Sequence, residues 1–220
     1  MRILAVAQVE DRTNLDRQIL KQTIQPFRTV FLIDKNPGKT IDERRVRIVQ
    51  NHKKLRDIVK AYDCDYVWQI EQDGEYPSDT LERLINDLNK VDVNKLAYVS
   101  GIQVGRHGLY CLGAWTDITK TGFKSLDYKK TGLQPVDATG FYCLLAPKDR
   151  WLSGIASWQG EPYGPDVVWA MSIHGNKYCD MDVQIGHIIK NGTIWPAHLS
   201  TCNVVFQKHH DGRWGYKQID

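Results

Sequence analysis

Residues 69–85 read QIEQDGEYPSDTLERLI. This stretch closes an apolar run, CDYVWQIE (64–71), on two carboxylates, Glu71 and Asp73. A Tyr-Pro-Ser break follows, and then an amphipathic helix pattern. A buried strand seldom ends in acids unless something offsets the charge, because desolvating a carboxylate is costly. A lysine or a metal ion would serve. Side chains alternate along a strand, so Glu71 and Asp73 are expected to point the same way. Two like charges so close shift each other's pKa unless a cation neutralises them. A hard divalent ion does this and leaves coordination positions for substrate phosphates.

Outward from this stretch the pattern repeats. RILAVAQ (2–8) and RTVFLID (28–34) read as buried strands, and KLAYVSGIQV (95–104) as a fourth. Between them, apolar spacing predicts helices over 13–24, with Thr13 as cap, over 42–61, and after Ser78 with Glu82 near the capping-box position. A βαβαβαβ opening implies a doubly wound, mostly parallel sheet. After residue 105 the signal changes. GLYCLGAWTD and GFKSLDY read as strands of a hairpin, and VDATGFYCLLAPKDRW as a turn, a strand and a short helix. GPDVVWAMSIHGNK is a helix with Pro165 in its first turn and Gly175 at its end, and YCDMDVQIGHI is a further strand. The expected class is therefore α/β, with a smaller antiparallel part.

In 220 residues no linker or low-complexity tract divides the chain. One domain is expected over 1–220, with halves 1–104 and 105–190 and a tail at 191–220. Five cysteines with no C-x-x-C pair suggest neither zinc nor a disulfide framework, and point to a reducing, cytoplasmic location. The opening MRILAVAQVED is too short for a signal peptide, and no run approaches the roughly 18 apolar residues of a membrane helix. A net charge of +3 permits an encounter with phosphates without requiring one.

Ligands of an open parallel sheet gather beyond the carboxyl ends of its strands. Here those ends carry Gln8, Glu10 and Asp11, then Asp34, then Glu71 and Asp73, then Gln103. No G-x-x-x-x-G-K-[ST] and no G-x-G-x-x-G follows the first strand, which excludes a P-loop and argues against a dinucleotide cofactor.

The order of these motifs resembles GT-A glycosyltransferases, in particular the large inverting family (family 2-like) that includes small bacterial and phage sugar transferases. FLIDKN looks like that family's second strand, and IEQDGEYPSDTLERL like its D-x-D segment, with Glu71 where Asp is usual. VDATGFYCLLAPKDRW looks like the acceptor-side turn and strand. EPYGPDVVWAMSIHGNKYCDMDVQIGHI looks like the E-D helix and the strand ending in a metal-ligand His, with Pro165 where Glu is frequent. The resemblance spans roughly residues 3–190.

The resemblance implies a metal-dependent inverting transfer of sugar from a nucleoside diphosphate sugar, a UDP-sugar first, to an acceptor hydroxyl. Asp73 and His187 would hold Mn2+ or Mg2+, with Glu71 as second ligand or ribose contact. Asp166 would be the general base, with Glu161 in reserve. Asp34 would accept from a uracil N–H, Gln8 would border the donor, and Arg47, with Asn51 and Lys54 on its helix face, would meet phosphate. Trp115 and Trp158 are candidates for stacking on sugar, whereas Trp169 reads as core. Each residue has a plainer reading as a cap, a turn residue or a solvated face. A silent nucleotide-sugar or nucleic-acid binding module is one rival. A nucleotidyltransferase is another, although QVEDRTN lacks the glycines such enzymes carry after their first strand. The acceptor hydroxyl would sit on DNA, protein or glycan. The tail QKHHDGRWGYK, with cations between aromatics, suits a hydroxymethylated pyrimidine of phage DNA.

Overall fold

The computed structural model describes residues 1–36, 38–105, 112–119, 122–161, 163–190, 192–200, 204–208 and 214–218. In chain order the elements are β1 (Ile3–Val9), α1 (Thr13–Leu20), β2 (Arg28–Ile33), α2 (Ile41–Ala61), β3 (Tyr66–Glu71), β4 (Gly74–Glu75), α3 (Thr80–Leu88) and β5 (Leu96–Gln103). There follow β6 (Ala114–Thr119), β7 (Gly122–Ser125), β8 (Leu133–Pro135), β9 (Ala138–Thr139), β10 (Cys143–Pro147), α4 (Lys148–Ser153), α5 (Pro165–Ser172) and β11 (Asn176–Ile189). The last are β12 (Gly192–Ile194), a 3-10 turn (Pro196–Ser200), β13 (Val204–Lys208) and β14 (Trp214–Gln218).

The main sheet runs β12-β11-β5-β10-β3-β1-β2, with β4 and β8 also paired to β11. β2, β1 and β3 are parallel, and so are β5 and β11. β10 is antiparallel and sits between β3 and β5. The smaller sheet, β13-β14-β7-β6-β9, is antiparallel except for the β14–β7 bridge.

Both faces of the main sheet are covered, which is why its strands read as continuous apolar runs. Ile3, Ala5 and Ala7 of β1, with Trp68 and Ile70 of β3, meet Leu15, Ile19, Leu81 and Leu84 on one side. Leu4, Val6 and Val67 meet Leu55, Val59, Trp151 and Trp169 on the other. Each large apolar side chain so buried contributes about 1.5–3 kcal/mol.

Several local expectations are corrected. The first helix stops at Leu20 and its N-cap is Arg12, with Asp11 just before the cap accepting from the Thr13 N–H through Oδ1 at 2.9 Å. The second has an unforeseen capping box, Thr40 with Glu43. Ser78 does not cap α3, which begins after Asp79. Glu75 lies in β4, a two-residue strand the sequence pattern did not show. Residues 106–111 of the expected hairpin, together with Cys111, Cys202 and much of the basic-aromatic tail, lie outside the described residues. Cys64, Cys143 and Cys179 are free thiols, buried in the core. No helix among the described residues is long and apolar enough to cross a membrane.

Candidate functional site

The end of β3 is built around Tyr76. Its ring is 3% exposed, and its hydroxyl accepts from the Glu71 N–H and shares its hydrogen between the carbonyls of Glu71 and Tyr142 (2.9 and 2.6 Å). The hydroxyl lies where a Cβ on Gly74 would fall, 2.2 Å away, so only glycine lets the chain turn here. Gln72 ties the turn to β1, its Oε1 accepting from the Glu10 N–H at 2.5 Å and the Asp11 N–H at 3.3 Å. Gln72 and Asp73 are turn residues, beyond the strand that closes at Glu71. Strand alternation therefore cannot orient Asp73, and the shared-face argument from sequence is replaced by this turn.

β4 then pairs with β11, setting Gly74 opposite His187 and Glu75 opposite Gly186. His187 is 5% exposed. Its Nδ1 stands 2.6 Å from the Val104 carbonyl, which only accepts, so Nδ1 carries the hydrogen. The other nitrogen, Nε2, faces Asp73 Oδ2 at 3.5 Å. A nitrogen lone pair and a carboxylate oxygen face one another stably only with a proton or a cation to share. Two donors each about 2.1 Å from one small ion are at most about 4.2 Å apart, so the pair fits a divalent ion. Among the described residues no third His, Cys, Asp or Glu completes a cluster. Asp73 and His187 are therefore the two side chains here that could hold a divalent ion, with its other positions left to water or substrate phosphates. Glu75 takes the Thr193 hydroxyl hydrogen on Oε2 at 2.6 Å.

Beside this pair lies a cavity of about 280 Å³. Gln8, Gln69 and Glu71 line it from β1 and β3, Glu10, Gln72 and Asp73 from the segments after those strands, and Arg44, Ile48, His52 and Leu55 from α2, with Phe141 also in its lining. Asp34 and Arg47 do not line it. Arg47 grips Asp34 through Nη2 (2.7 Å) and Nε (3.1 Å), and Asn51 donates to it at 2.6 Å. The Arg47 guanidinium, with Asn51, holds the Asp34 carboxyl down at about 2, against the burial that opposes it. Arg47, read from sequence as a phosphate contact, is turned onto this carboxylate, and Asn51 with it.

Asp166 occupies the first turn of α5, behind Pro165 and the N-cap Gly164. Its carboxylate lies over two glycines. A Cβ would meet it at 2.3 Å from Gly164 and at 3.3 Å from Gly140. Burial pushes its pKa up, opposed by the N–H groups of Val167 and of Asp166 itself. Glu161, the reserve base, accepts from the Gln159 N–H within its own loop, and Arg45 of α2 lies over the Trp158 ring at 5.2 Å. Trp169 is fully buried. Trp115 packs edge-on to Phe123, which meets Tyr163 in the same way.

Sequence reasoning did not single out Tyr76, Gln72, Gln69 or His52. Only His52 had a visible signal, a histidine inside the apolar spacing of α2.

No family model and no curated protein matches the chain. Solved structures do. A crystal structure of A197 from STIV matches over 100% of this chain and 96% of its own, with a TM-score of 0.54 and 12% identity. A crystal structure of GalNAc-T7 with UDP, GalNAc and Mn2+ matches over 86% of this chain, with a TM-score of 0.55 and 13% identity. That match spans 44% of the GalNAc-T7 chain. The fold is GT-A. In this fold the carboxylate turn and the cavity lie at the carboxyl ends of β1 and β3, as expected for an open α/β sheet.

Proposed function

We propose that the protein is a metal-dependent inverting glycosyltransferase that moves a sugar from a nucleoside diphosphate sugar, a UDP-sugar first, to an acceptor hydroxyl. The observation that carries this reading is the Asp73–His187 pair at the edge of a cavity lined by Gln8 and Glu71. Mn2+ or Mg2+ held there would supply Lewis acidity toward the leaving diphosphate. Asp73 contributes a carboxylate oxygen, and His187 a ring nitrogen oriented by the Val104 carbonyl. Glu71 borders the same space and adds negative charge on the donor side. Asp166 takes the acceptor proton. A carboxylate raised by burial is a better base than a solvated one, because its pKa lies nearer the working pH.

The test is release of UDP from UDP-sugars with and without Mn2+, alongside thermal stabilisation by the same nucleotides. Metal-dependent UDP release supports the reading. Release of pyrophosphate would make the protein a nucleotidyltransferase. Binding without turnover of any sugar nucleotide, with acceptors present, would make it a binding module.

A further inference from the structure

The start of α2 reads DERRVR (42–47) and carries three arginines whose side chains part company. Arg47 is turned onto Asp34, and Arg45 lies over the Trp158 ring. Arg44 lines the cavity, on the same helix face as Ile48 and Leu55, which line it too. Among the described residues of that lining, Arg44 is the one cation, set against the carboxylates of Glu10, Glu71 and Asp73. It is exposed, whereas Leu55, Ile70 and Phe141 are buried, so the charge stands at the open rim.

The side chain is held by its stem end. Arg44 Nε donates to the Gly38 carbonyl at 3.2 Å. Gly38 has φ +97°, and a Cβ there would meet Glu43 Cβ at 2.8 Å, so the loop after β2 lies tight against the first turn of α2. Glu43 fastens the same loop, its Oε2 accepting from the Lys39 and Thr40 N–H groups at 2.6 and 3.2 Å. The two Nη nitrogens of Arg44 have no partner among the described residues. A guanidinium anchored through Nε keeps its outer donors for a planar or tetrahedral oxyanion. The three acids make that cation necessary for an anionic ligand. A diphosphate carries more negative charge than one dication cancels, and the excess would face Glu10, Glu71 and Asp73.

We propose that Arg44 receives the diphosphate of the donor, giving its Nη hydrogens to phosphate oxygens, and thereby selects diphosphate over monophosphate donors. Arg47, the residue that sequence suggested for this contact, is closed onto Asp34 and does not line the cavity. The proposal rests on the cavity being the nucleotide-sugar site.

The experiment takes whichever of UDP, CDP, GDP and ADP binds the wild-type protein best in the presence of Mg2+. It titrates that diphosphate, its monophosphate and inorganic pyrophosphate into the wild type, Arg44→Gln and Arg44→Lys. Arg44→Gln is expected to bind the diphosphate and pyrophosphate at least tenfold more weakly and to lose most of the preference for diphosphate over monophosphate. Arg44→Lys, which keeps the charge without the fork, is expected to recover part of the loss. The wild-type affinity is expected to fall more steeply with added salt than that of Arg44→Gln, which a merely structural role would not produce. In the wild type, the 15N resonance of Arg44 Nε is expected to shift when pyrophosphate binds, a readout that stands even if a variant fails to fold. An unchanged preference for diphosphate in Arg44→Gln, or an unmoved resonance with pyrophosphate bound, overturns the proposal and leaves the donor reading intact. Failure of every nucleoside diphosphate to bind the wild type overturns both.

Discussion

His187 Nε2 stands 3.5 Å from Asp73 Oδ2 because β4, two residues long, pairs with β11 immediately after the Gln72-Asp73 turn. The contact joins the acidic turn after β3 to the far end of β11, the longest strand among the described residues. Its chemistry depends on both partners: a ring nitrogen and a carboxylate oxygen, held by the Val104 carbonyl and the Tyr76-anchored turn.

Asp73→Asn is expected to abolish the Mn2+-dependent part of stabilisation by UDP, since the amide replaces a charge with a dipole. Ligand at a hundredfold excess over Kd stabilises a folded protein by about 2.7 kcal/mol. Melting curves with and without Mn2+ check this. A full metal-dependent shift in the variant would remove Asp73 from the ion's ligands.

Asp166→Asn is expected to keep donor affinity and lower turnover by about 10²–10⁴. Asparagine preserves the polar start of α5 but cannot accept the proton. Because burial raises the pKa of Asp166, the wild-type rate should climb with pH at values above the ordinary aspartate range, and the variant should lack that limb. Near-normal turnover would pass the role to Glu161.

Asp34→Asn is expected to cost stability, about 2 kcal/mol, because charge-assisted bonds to Arg47 and Asn51 weaken together. Asp34 is lowered to about 2 in the fold, so its contribution is complete above about pH 4 and is lost as the pH falls through 2. Acid unfolding of the variant should lack that component. Donor affinity should change little. A collapse of affinity at unchanged stability would restore Asp34 as a base contact.

Asp87 gives the opposite slope. It is fully buried at the end of α3 beside Asp180 and bonded to Lys90 at 2.7 Å, and burial pushes it up to about 6. The folded protein keeps this proton where the unfolded chain has released it, so stability should fall as the pH rises from about 4 to 6. Asp87→Asn should flatten that slope in melting temperatures measured across the range.

Gly74→Ala is expected to displace the Tyr76 ring, whose hydroxyl lies 2.2 Å from the new Cβ position. The Glu71 N–H and the Tyr142 carbonyl then lose their partner, at about 1–3 kcal/mol for each buried group left unmade. Metal-dependent UDP binding should weaken along with stability, because the same turn carries Asp73.

The strands and helices of the first hundred residues were legible because each buries its apolar residues in a regular period. The run ILAVAQV between two helix layers is an example. The insertion of β10 between β3 and β5 was not legible, since an antiparallel neighbour presents the same apolar run as a parallel one. The Asp11 bond to Thr13 and the strand at Gly74–Glu75 were missed because each depends on where one side chain or one distant strand lies.

By itself, then, the sequence determined the α/β class and the acids at the carboxyl ends of the strands, which follow from local composition and period; Asp166 and His187 were named through the resemblance to GT-A glycosyltransferases. Only the tertiary structure decided which of them meet. It set His187 against Asp73 through strand pairing, closed Asp34 onto Arg47 and Asn51, and put His52 and Gln69 in the cavity wall. The physical reason is that a side chain's partner is chosen by contacts across long loops, whose registers no local pattern encodes.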